Sequence, residues 1–255
     1  MKKLLVFLTL ILCVAVIIFG NLHWNNKISA QGEKVTSTSK SVPLQEEPEI
    51  EIDVEKYSSN LPKNLQDKVS NATSTGKQLK LVIFGTSDAK GAWSEQFSKE
   101  LKTTYGENVF EVTILSTGDK TTRDVIKDQS YEGINELNPD ILLFEPSMLK
   151  DNGHIGIENT LDNIQKMVDS WLEANKDMTL MIQPPNPLYA ATYYPIEVSQ
   201  LMAYAEENEM IYLNHWENWP DLDDVEMKDY LTDSKANESG NKVWAEYLLN
   251  YFVAK

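Results

Sequence analysis

The sequence predicts an α/β domain in which a parallel sheet of five strands is covered by helices on both faces. From about residue 77 onward, short apolar runs of strand length alternate with longer segments of helical period. This alternation is typical of parallel sheets, because a helix makes the crossover between successive strands. A hydrophobic fraction of 42% supplies enough apolar surface for a buried core.

The apolar runs and the helical periods locate the individual elements. Strands are predicted at residues 80–85, 109–115, 140–144, 179–182 and 211–213. Trp93, Phe97, Leu101 and Tyr105 recur every four residues, which marks a helix between the first two strands. Later helices are predicted over residues 157–172, 196–207 and 241–252. The carboxyl ends of the strands are expected to meet at one edge of the sheet, where parallel sheets bind ligands.

The N-terminus has the pattern of a single membrane-spanning helix. Lys2 and Lys3 precede an apolar run over residues 4–19, and Trp24 follows it. A helix extended to Trp24 would be about 30 Å long, which matches the hydrocarbon thickness of a bilayer. The two lysines favour a cytoplasmic N-terminus, and the tryptophan suits the outer interface. We therefore expect residues 1–24 to anchor the chain in a cell membrane, with the rest extracytoplasmic.

Two processed forms are alternatives to the anchor. A signal peptide cleaved after Ala30 would release a secreted protein, although this site lies about ten residues beyond the apolar run. A lipoprotein modified at Cys13 is disfavoured, because the bulky Leu12 precedes the cysteine. The anchored and the cleaved forms both leave the remaining chain outside the cytoplasm.

Residues 25–76 are predicted to be a flexible polar tether. Ser, Thr, Asn, Gln, Lys and Glu dominate this stretch, and three prolines interrupt it. A segment of this composition buries too little apolar area to offset the entropy lost on ordering. The expected organisation is therefore an anchor at residues 1–24, a tether at 25–76 and an α/β domain at 77–255.

Charge and cysteine content exclude several classes of protein. Lys2 and Lys3 are the only charged residues before Trp24. The chain beyond Trp24 therefore contains 21 basic and 39 acidic residues, and its net charge is −18. Such a surface repels nucleic-acid phosphates, and a nucleic-acid partner is not expected. Cys13 is the only cysteine, and the sequence has neither a phosphate-binding glycine loop nor clustered metal ligands. No cofactor and no metal site are expected.

Four segments at the predicted ligand edge carry the polar residues. They are residues 85–91, 116–122, 145–154 and 233–240. The first holds Ser87 in a tight turn between a buried strand and a helix, where a hydroxyl can lie near amide donors. On this feature alone, a helix-capping role for Ser87 is the simpler interpretation.

In order and spacing, these segments resemble the SGNH (GDSL-like) hydrolase family. Gly85, Ser87 and Gly91 match the family's first block, in which Thr86 here replaces an aspartate. Gly118, within Thr-Gly-Asp, matches the second block, and the segment before the last helix is close to the family's final block. The resemblance implies a three-layer, flavodoxin-like domain and acyl-transfer chemistry at a serine.

Two blocks depart from the family pattern. Lys150-Asp151 stands where the third block has Asn-Asp, and Ala236 stands where the last block has its histidine. A serine without a base is a poor nucleophile near neutral pH. Histidines 154 and 215 follow the third and fifth strands. For each of them a surface or packing role is the simpler interpretation.

The resemblance implies a role for each candidate site residue. Ser87 would be the nucleophile, and its N–H, the Gly118 N–H and the Asn152 amide would form the oxyanion hole. Asp233 would be the acidic member of the triad. His154 is the first candidate for a surrogate base, because it follows the strand nearest to the expected nucleophile.

Two functions follow from this pattern. An enzyme would hydrolyse or transfer an O-acyl group carried by a small ester or by a cell-envelope glycan. A degenerate module would use the same cleft to bind a glycan or an assembly partner without turnover. The matched glycines and Ser87 favour the enzyme, whereas the missing histidine favours the module. Candidate stacking surfaces for sugar rings, with loop packing as the simpler role, are Tyr193, Tyr194, Trp216 and Trp219.

Overall fold

The computed structural model describes residues 53–85 and 90–255 of the chain. The helices of this part are α1 (Val54–Tyr57), α2 (Lys63–Thr75), α3 (Trp93–Tyr105), α4 (Thr122–Asp128), α5 (Gly133–Leu137), α6 (Met148–Asp151), α7 (Ile157–Ala174), α8 (Tyr194–Glu207) and α9 (Glu238–Phe252). The strands are β1 (Leu79–Gly85), β2 (Phe110–Ser116), β3 (Ile141–Phe144), β4 (Thr179–Ile182), β5 (Ile211–Tyr212), β6 (Leu231–Thr232) and β7 (Lys235–Ala236).

Strands β1 to β5 form one parallel sheet in the order β2-β1-β3-β4-β5. This is the flavodoxin-like, doubly wound order, in which the chain changes direction across the sheet between β2 and β3. The predicted five-stranded parallel sheet is confirmed. Each predicted strand boundary lies within one residue of the observed one.

The sheet is the middle of three layers. Leu81 and Ile83 of β1 face a core shared with α2, α3 and α9, whereas Val82 and Phe84 face a second core shared with α4, α5, α7 and α8. Successive residues of a strand point to opposite faces, which is why one apolar run serves both cores. The prediction of helices on both faces is confirmed.

Helices α1 and α2 belong to the folded domain, so the prediction of a flexible tether is wrong for residues 53–76. Leu61, Leu65, Val69 and Ala72 are at most 3% exposed and lie in the same core as α3 and α9. The spacing of Leu65, Val69 and Ala72 places these three on one face of α2, and the polar majority of the segment hides this stripe. Residues 25–52 and the predicted anchor at 1–24 lie outside the described residues.

The N-terminal helices meet both the C-terminus and the amino edge of the sheet. The Ala254 N–H donates to Tyr57 O at 2.8 Å. Lys68 Nζ of α2 donates to the carbonyl oxygens of Asp140 and Asp177 at 3.2 Å and 2.6 Å, just before β3 and β4 begin. Within residues 53–85 and 90–255, no helix has the length and apolar content needed to span a bilayer.

Residues 231–236 form an antiparallel hairpin, β6–β7, that the sequence analysis does not predict. Asp233 and Ser234 make its two-residue turn with φ of 50° and 63°. Positive φ at both central positions is typical of a type I′ turn. Asn186 Nδ2 donates to Ser234 O at 3.2 Å, which fixes the turn to the loop that follows β4.

Candidate active site

A cleft of about 1110 Å³ opens at the carboxyl edge of the sheet. Its walls come from the segments that follow β1 to β4, within residues 90–93, 118–119, 145–152 and 186–188. Hairpin β6–β7 and the first turns of α9 supply the remaining wall. This is the edge at which parallel α/β sheets place their ligands, and it is the edge that the sequence indicates.

Hydrogen bonds join the carboxyl ends of β1, β2 and β3 beside the cleft. The Thr117 N–H donates to Gly85 O at 2.6 Å, and the Glu145 N–H donates to Phe84 O at 2.8 Å. The Thr117 hydroxyl also donates to Gly85 O at 3.1 Å and lies 3.1 Å from the Ser147 hydroxyl. These bonds fix the points from which three cleft loops leave the sheet.

Glu145 brings a buried carboxylate to the cleft wall. Its side chain directly follows β3, is 1% exposed and borders the cleft. It packs so closely on Gly85 that a Cβ at residue 85 would lie 2.7 Å from Oε2. The glycine is therefore required for space. Burial raises the pKa of Tyr194 well above its ordinary value, and the negative charge of Glu145 raises it further.

Ser87 lies in residues 86–89, outside the described residues, so its role as nucleophile stays a prediction. Gly91, which follows this segment, is held by the first turn of α3. The Gly91 N–H donates to Glu95 Oε2 at 2.5 Å, and Gln96 Nε2 donates to Gly91 O at 2.8 Å. Gly91 has φ of 80°, a conformation that favours glycine.

Gly118 lies in the cleft wall with φ of 60°. Its N–H donates to Ser116 Oγ at 2.9 Å, so it must exchange this bond for a substrate oxygen in order to stabilise an oxyanion. The neighbouring Asp119 pairs with Lys150, whose hydrogen bond and positive charge lower the pKa of that carboxyl. The Gly118 N–H, the proposed oxyanion donor, therefore lies in the cleft wall and is already hydrogen-bonded within the protein.

Asn152 and Asp151 are neighbours with different surroundings. Asn152 lines the cleft, and no hydrogen bond within the described part of the chain engages its side-chain amide. Asp151 is 2% exposed and accepts bonds from the Thr122 N–H, the Thr122 hydroxyl and the Thr160 hydroxyl at 2.9, 2.5 and 2.7 Å. Asp151 therefore joins α4, α6 and α7, while Asn152 is available to a ligand.

Asp233 reaches the cleft from the turn of β6–β7, where it is exposed. Ala236, three residues further on, pairs with Leu231 in the hairpin. The structure thus brings Gly118, Asn152 and Asp233 to one cleft. Their catalytic roles stay predictions.

Neither histidine of the described residues lines the cleft. His154 is exposed in the turn after α6, and its role as a base stays a prediction. His215 is fully buried, with Nε2 2.9 Å from Pro184 O and with Nδ1 accepting from Trp219 Nε1 at 3.1 Å. Burial lowers the pKa of His215 to about 3, so the ring stays neutral near pH 7 and serves packing.

A stack of aromatic rings supports the cleft from below. Trp93 stacks on Trp244 with centroids 4.7 Å apart, and Trp244 stacks on His215 at 3.9 Å. The backbone N–H of Trp93 donates to Asn241 Oδ1 at 2.8 Å. Because Trp93 begins α3 and Asn241 lies in α9, these contacts hold the first and last cleft segments together.

Of the four rings considered for sugar stacking, only Tyr193 is well exposed, at 77%. Trp219 and Tyr194 are 7% and 1% exposed, so the stacking hypothesis is wrong for them. Trp216 is half-buried, packs on Tyr194 with centroids 5.7 Å apart and donates from Nε1 to Pro185 O at 2.7 Å. The simpler interpretation, loop packing, describes these three residues.

No protein-family model matches the chain, and no curated protein matches it. Solved structures do match. A GDSL-like lipase from Bacteroides thetaiotaomicron is 14% identical with a TM-score of 0.51, over 74% of this chain and 97% of that one. A carbohydrate esterase family 3 protein from Talaromyces cellulolyticus is 14% identical with a TM-score of 0.55, over 67% and 94%. A G-D-S-L family protein from Desulfitobacterium hafniense is 16% identical with a TM-score of 0.53, over 68% and 98%.

The chain has the SGNH/GDSL-like hydrolase fold. At these identities the likeness establishes the fold alone. Any activity has to be argued from the residues of the site. In this SGNH-like domain, residues from the second, third and last blocks line one cleft, as the resemblance implies. The histidine of the last block has no counterpart in the cleft wall among the described residues.

The sequence places Glu145 in a segment at the ligand edge, but it predicts no role for this residue in the SGNH-like cleft. The signal that could have found it is a charged residue directly after the fully apolar strand Ile-Leu-Leu-Phe. A carboxylate at such a position is buried, and burial of a charge is costly unless the surroundings stabilise it. The sequence predicts no place for Trp93 in the cleft, because its four-residue period indicates only a core-facing helix stripe.

Proposed function

We propose that the SGNH-like domain is an esterase or acyltransferase that cleaves or transfers an O-acyl group. The observation that carries this proposal is the convergence of Gly118, Asn152 and Asp233, from three separate loops, on one cleft. Ser87 is the proposed nucleophile. An acyl transfer needs amide donors beside the developing oxyanion, and Gly118 and Asn152 supply suitable groups in this cleft.

We further propose an acylated glycan of the cell envelope as the substrate. The cleft volume of about 1110 Å³ slightly exceeds the usual range for small-molecule sites and leaves room for more than an acyl group. The likeness to a carbohydrate esterase family 3 structure supports this choice. The apolar run at residues 4–19 supports a membrane anchor and hence an extracytoplasmic site of action.

The test is reaction of the purified chain with a fluorophosphonate probe, together with hydrolysis of a small acyl ester. Wild type should be labelled, and Ser87→Ala should lose labelling and at least about a hundredfold of its hydrolysis, because the nucleophile is removed. Ser199→Ala, an exposed serine on α8, is the matched control and should behave as wild type. Ser87→Ala should change the unfolding free energy by only about 1 kcal/mol.

A non-catalytic binding module is the second candidate, and the absence of a cleft-lining histidine among the described residues favours it. A folded wild-type chain that neither reacts with fluorophosphonate nor hydrolyses any acyl ester would support this alternative. Calorimetric titration with envelope glycans would then be the next measurement. Tyr193, which is exposed, is the first residue to substitute, in place of the buried Trp219.

A further inference from the structure

Lysines are concentrated in the wall of the cleft. Among the described residues that line it, four are lysines and four are acidic. The chain beyond Trp24 contains 21 basic residues against 39 acidic ones, so the described cleft wall is less acidic than the chain as a whole. A site with this balance is suited to an anion that the rest of the surface repels. The four lysines are Lys90, Lys150, Lys235 and Lys242.

Lys150 lines the cleft from a helix that is held in place by hydrogen bonds. It lies in α6, and its side chain is 25% exposed. The next residue, Asp151, accepts bonds from Thr122 and Thr160 and so joins α6 to α4 and α7. The backbone from which Lys150 extends is therefore fixed, and its charge stays at the cleft wall.

The counter-ion of Lys150 is exposed and can be exchanged. The Lys150 amine pairs with Asp119, whose side chain is 87% exposed. An exposed ion pair contributes little free energy, so an anionic ligand can displace Asp119 at small cost. Lys235 of hairpin β6–β7 lies near the same carboxylate, because its positive charge also lowers the pKa of Asp119. Lys235 forms no ion pair within the described part of the chain, so two lysines share one exposed carboxylate.

The two lysines lie next to the proposed oxyanion donors. Gly118 directly precedes Asp119, and Asn152 comes two residues after Lys150. Both donors line the same cleft. A negative group held by Lys150 and Lys235 would therefore lie close to an ester whose carbonyl oxygen meets Gly118 and Asn152.

We infer that Lys150 and Lys235 bind an anionic group, a carboxylate or a phosphate, on the alcohol part of the substrate. This inference rests on the esterase function proposed above, and it narrows the substrate to an O-acyl ester of an acidic glycan. The charge is assigned to the alcohol part because the cleft has room for more than an acyl group. The bound anion replaces Asp119 as the counter-ion of Lys150.

The test compares three acetate esters that differ in the charge of the alcohol. Phenyl acetate is neutral, para-acetoxybenzoate carries a carboxylate, and para-acetoxyphenyl phosphate carries a phosphate. The ratio of kcat/KM for an anionic ester to kcat/KM for phenyl acetate measures the charge preference of each variant. In Lys150→Met this preference should fall at least about threefold for one or both anions, because an attractive charge is lost and Asp119 is left unpaired. The anion with the larger loss identifies the group that the cleft binds.

Asp119→Asn should change the preference in the opposite direction. It removes the internal carboxylate that competes for Lys150, so the preference for the same anion should rise by about twofold or more. A preference at or below the wild-type value in this variant would overturn the inference. Lys63→Met is the matched control, since Lys63 also pairs with an aspartate, Asp67, and lies on α2 outside the cleft wall. It should keep the wild-type preference within about twofold.

The outcomes distinguish this inference from the proposed function. If wild type hydrolyses the esters and Lys150→Met keeps the preference for both anions within about threefold, the inference is overturned and the esterase proposal stands. If Lys150→Met does not fold, Lys235→Met replaces it under the same criterion. If wild type hydrolyses none of the three esters, the esterase proposal fails, and NMR titration with phenol, para-hydroxybenzoate and para-hydroxyphenyl phosphate decides the inference. Tighter binding of an anion that Lys150→Met loses supports the lysine site, and binding equal to that of phenol overturns it.

Discussion

Two buried ionisable side chains, Asp151 and His215, hold the loops around the cleft without taking part in the proposed chemistry. Both are at most 2% exposed, and both have their polar atoms engaged by neighbours. A buried polar group costs free energy unless it is hydrogen-bonded, so each fixes the geometry of its neighbours. Their roles can be tested separately from catalysis.

Asp151→Asn should destabilise the domain by about 1–3 kcal/mol. In the wild-type chain the Thr122 and Thr160 hydroxyls both donate to the Asp151 carboxylate. The amide NH₂ of the variant would place a donor opposite these two donors. Asp162→Asn on the exposed face of α7 is the matched control and should change the stability by less than about 0.5 kcal/mol. Urea unfolding of the two variants measures the difference. Equal stabilities would contradict the structural role given to Asp151.

The His215 ring should stay neutral across the pH range in which histidines ordinarily titrate. Its pKa of about 3 in the folded chain lies below the value of about 6.5 expected when unfolded, so protons bind the unfolded chain preferentially. This residue's contribution to stability is therefore present above about pH 6.5 and declines as the pH falls toward 3. NMR should show no change in the His215 ring signals from pH 8 to 5, while the same ring titrates in urea. A midpoint near 6.5 in the folded chain would disprove the burial argument.

At the scale of elements, α2 is part of the core and α1 packs against it, which changes where the domain can be cut. A chain beginning at Lys77 lacks Leu61, Leu65 and Val69, each of which is at most 3% exposed. Burying such a side chain contributes about 1.5–3 kcal/mol, which is a large share of the stability of a typical domain. We expect the 77–255 fragment to be unfolded or to melt far below the 53–255 fragment. Thermal unfolding by circular dichroism of the two fragments tests this, and equal midpoints would restore the tether interpretation.

The sequence predicts the strands well and the N-terminal helices poorly for one physical reason. A strand buried on both faces is a continuous apolar run, such as the one ending at Phe84, and little else in a soluble chain resembles it. Helix α2 buries only a narrow stripe, so polar residues dominate its composition. Hairpin β6–β7 has two-residue strands and a turn without glycine, and it therefore lacks the usual hairpin signal.

The candidate site likewise contains residues that the sequence places correctly and one that only the fold identifies. Gly118, Asn152 and Asp233 could be placed in one cleft because they follow motif spacing and strand ends. Glu145 also follows a strand end directly, but it belongs to none of the quoted family motifs, so its position alone does not mark it as a cleft residue. That Gly85 makes room for Glu145 depends on a contact between neighbouring strands, which only the fold reveals.

At the scale of the whole molecule, the proposed anchor predicts that residues 25–255, whose net charge is −18, lie on the outer side of the membrane. Lys2 and Lys3 lie before the apolar run and favour a cytoplasmic N-terminus. Protease added to intact spheroplasts should therefore digest the chain beyond about Trp24. A cytoplasmic marker protein should survive in the same sample. Complete protection of the domain would contradict the proposed orientation.

The bond from the Ala254 N–H to Tyr57 O, together with that from Asn60 Nδ2 to Asn250 O, brings residues 57–60 and 250–254 side by side. The polypeptide between these two segments therefore begins and ends at neighbouring positions of the fold. In the 53–255 fragment, a few added residues could join the two termini, and the chain could then be opened at another exposed turn, as in circular permutation. The architecture would thus depend on which elements are neighbours, and not on the point at which the chain happens to start.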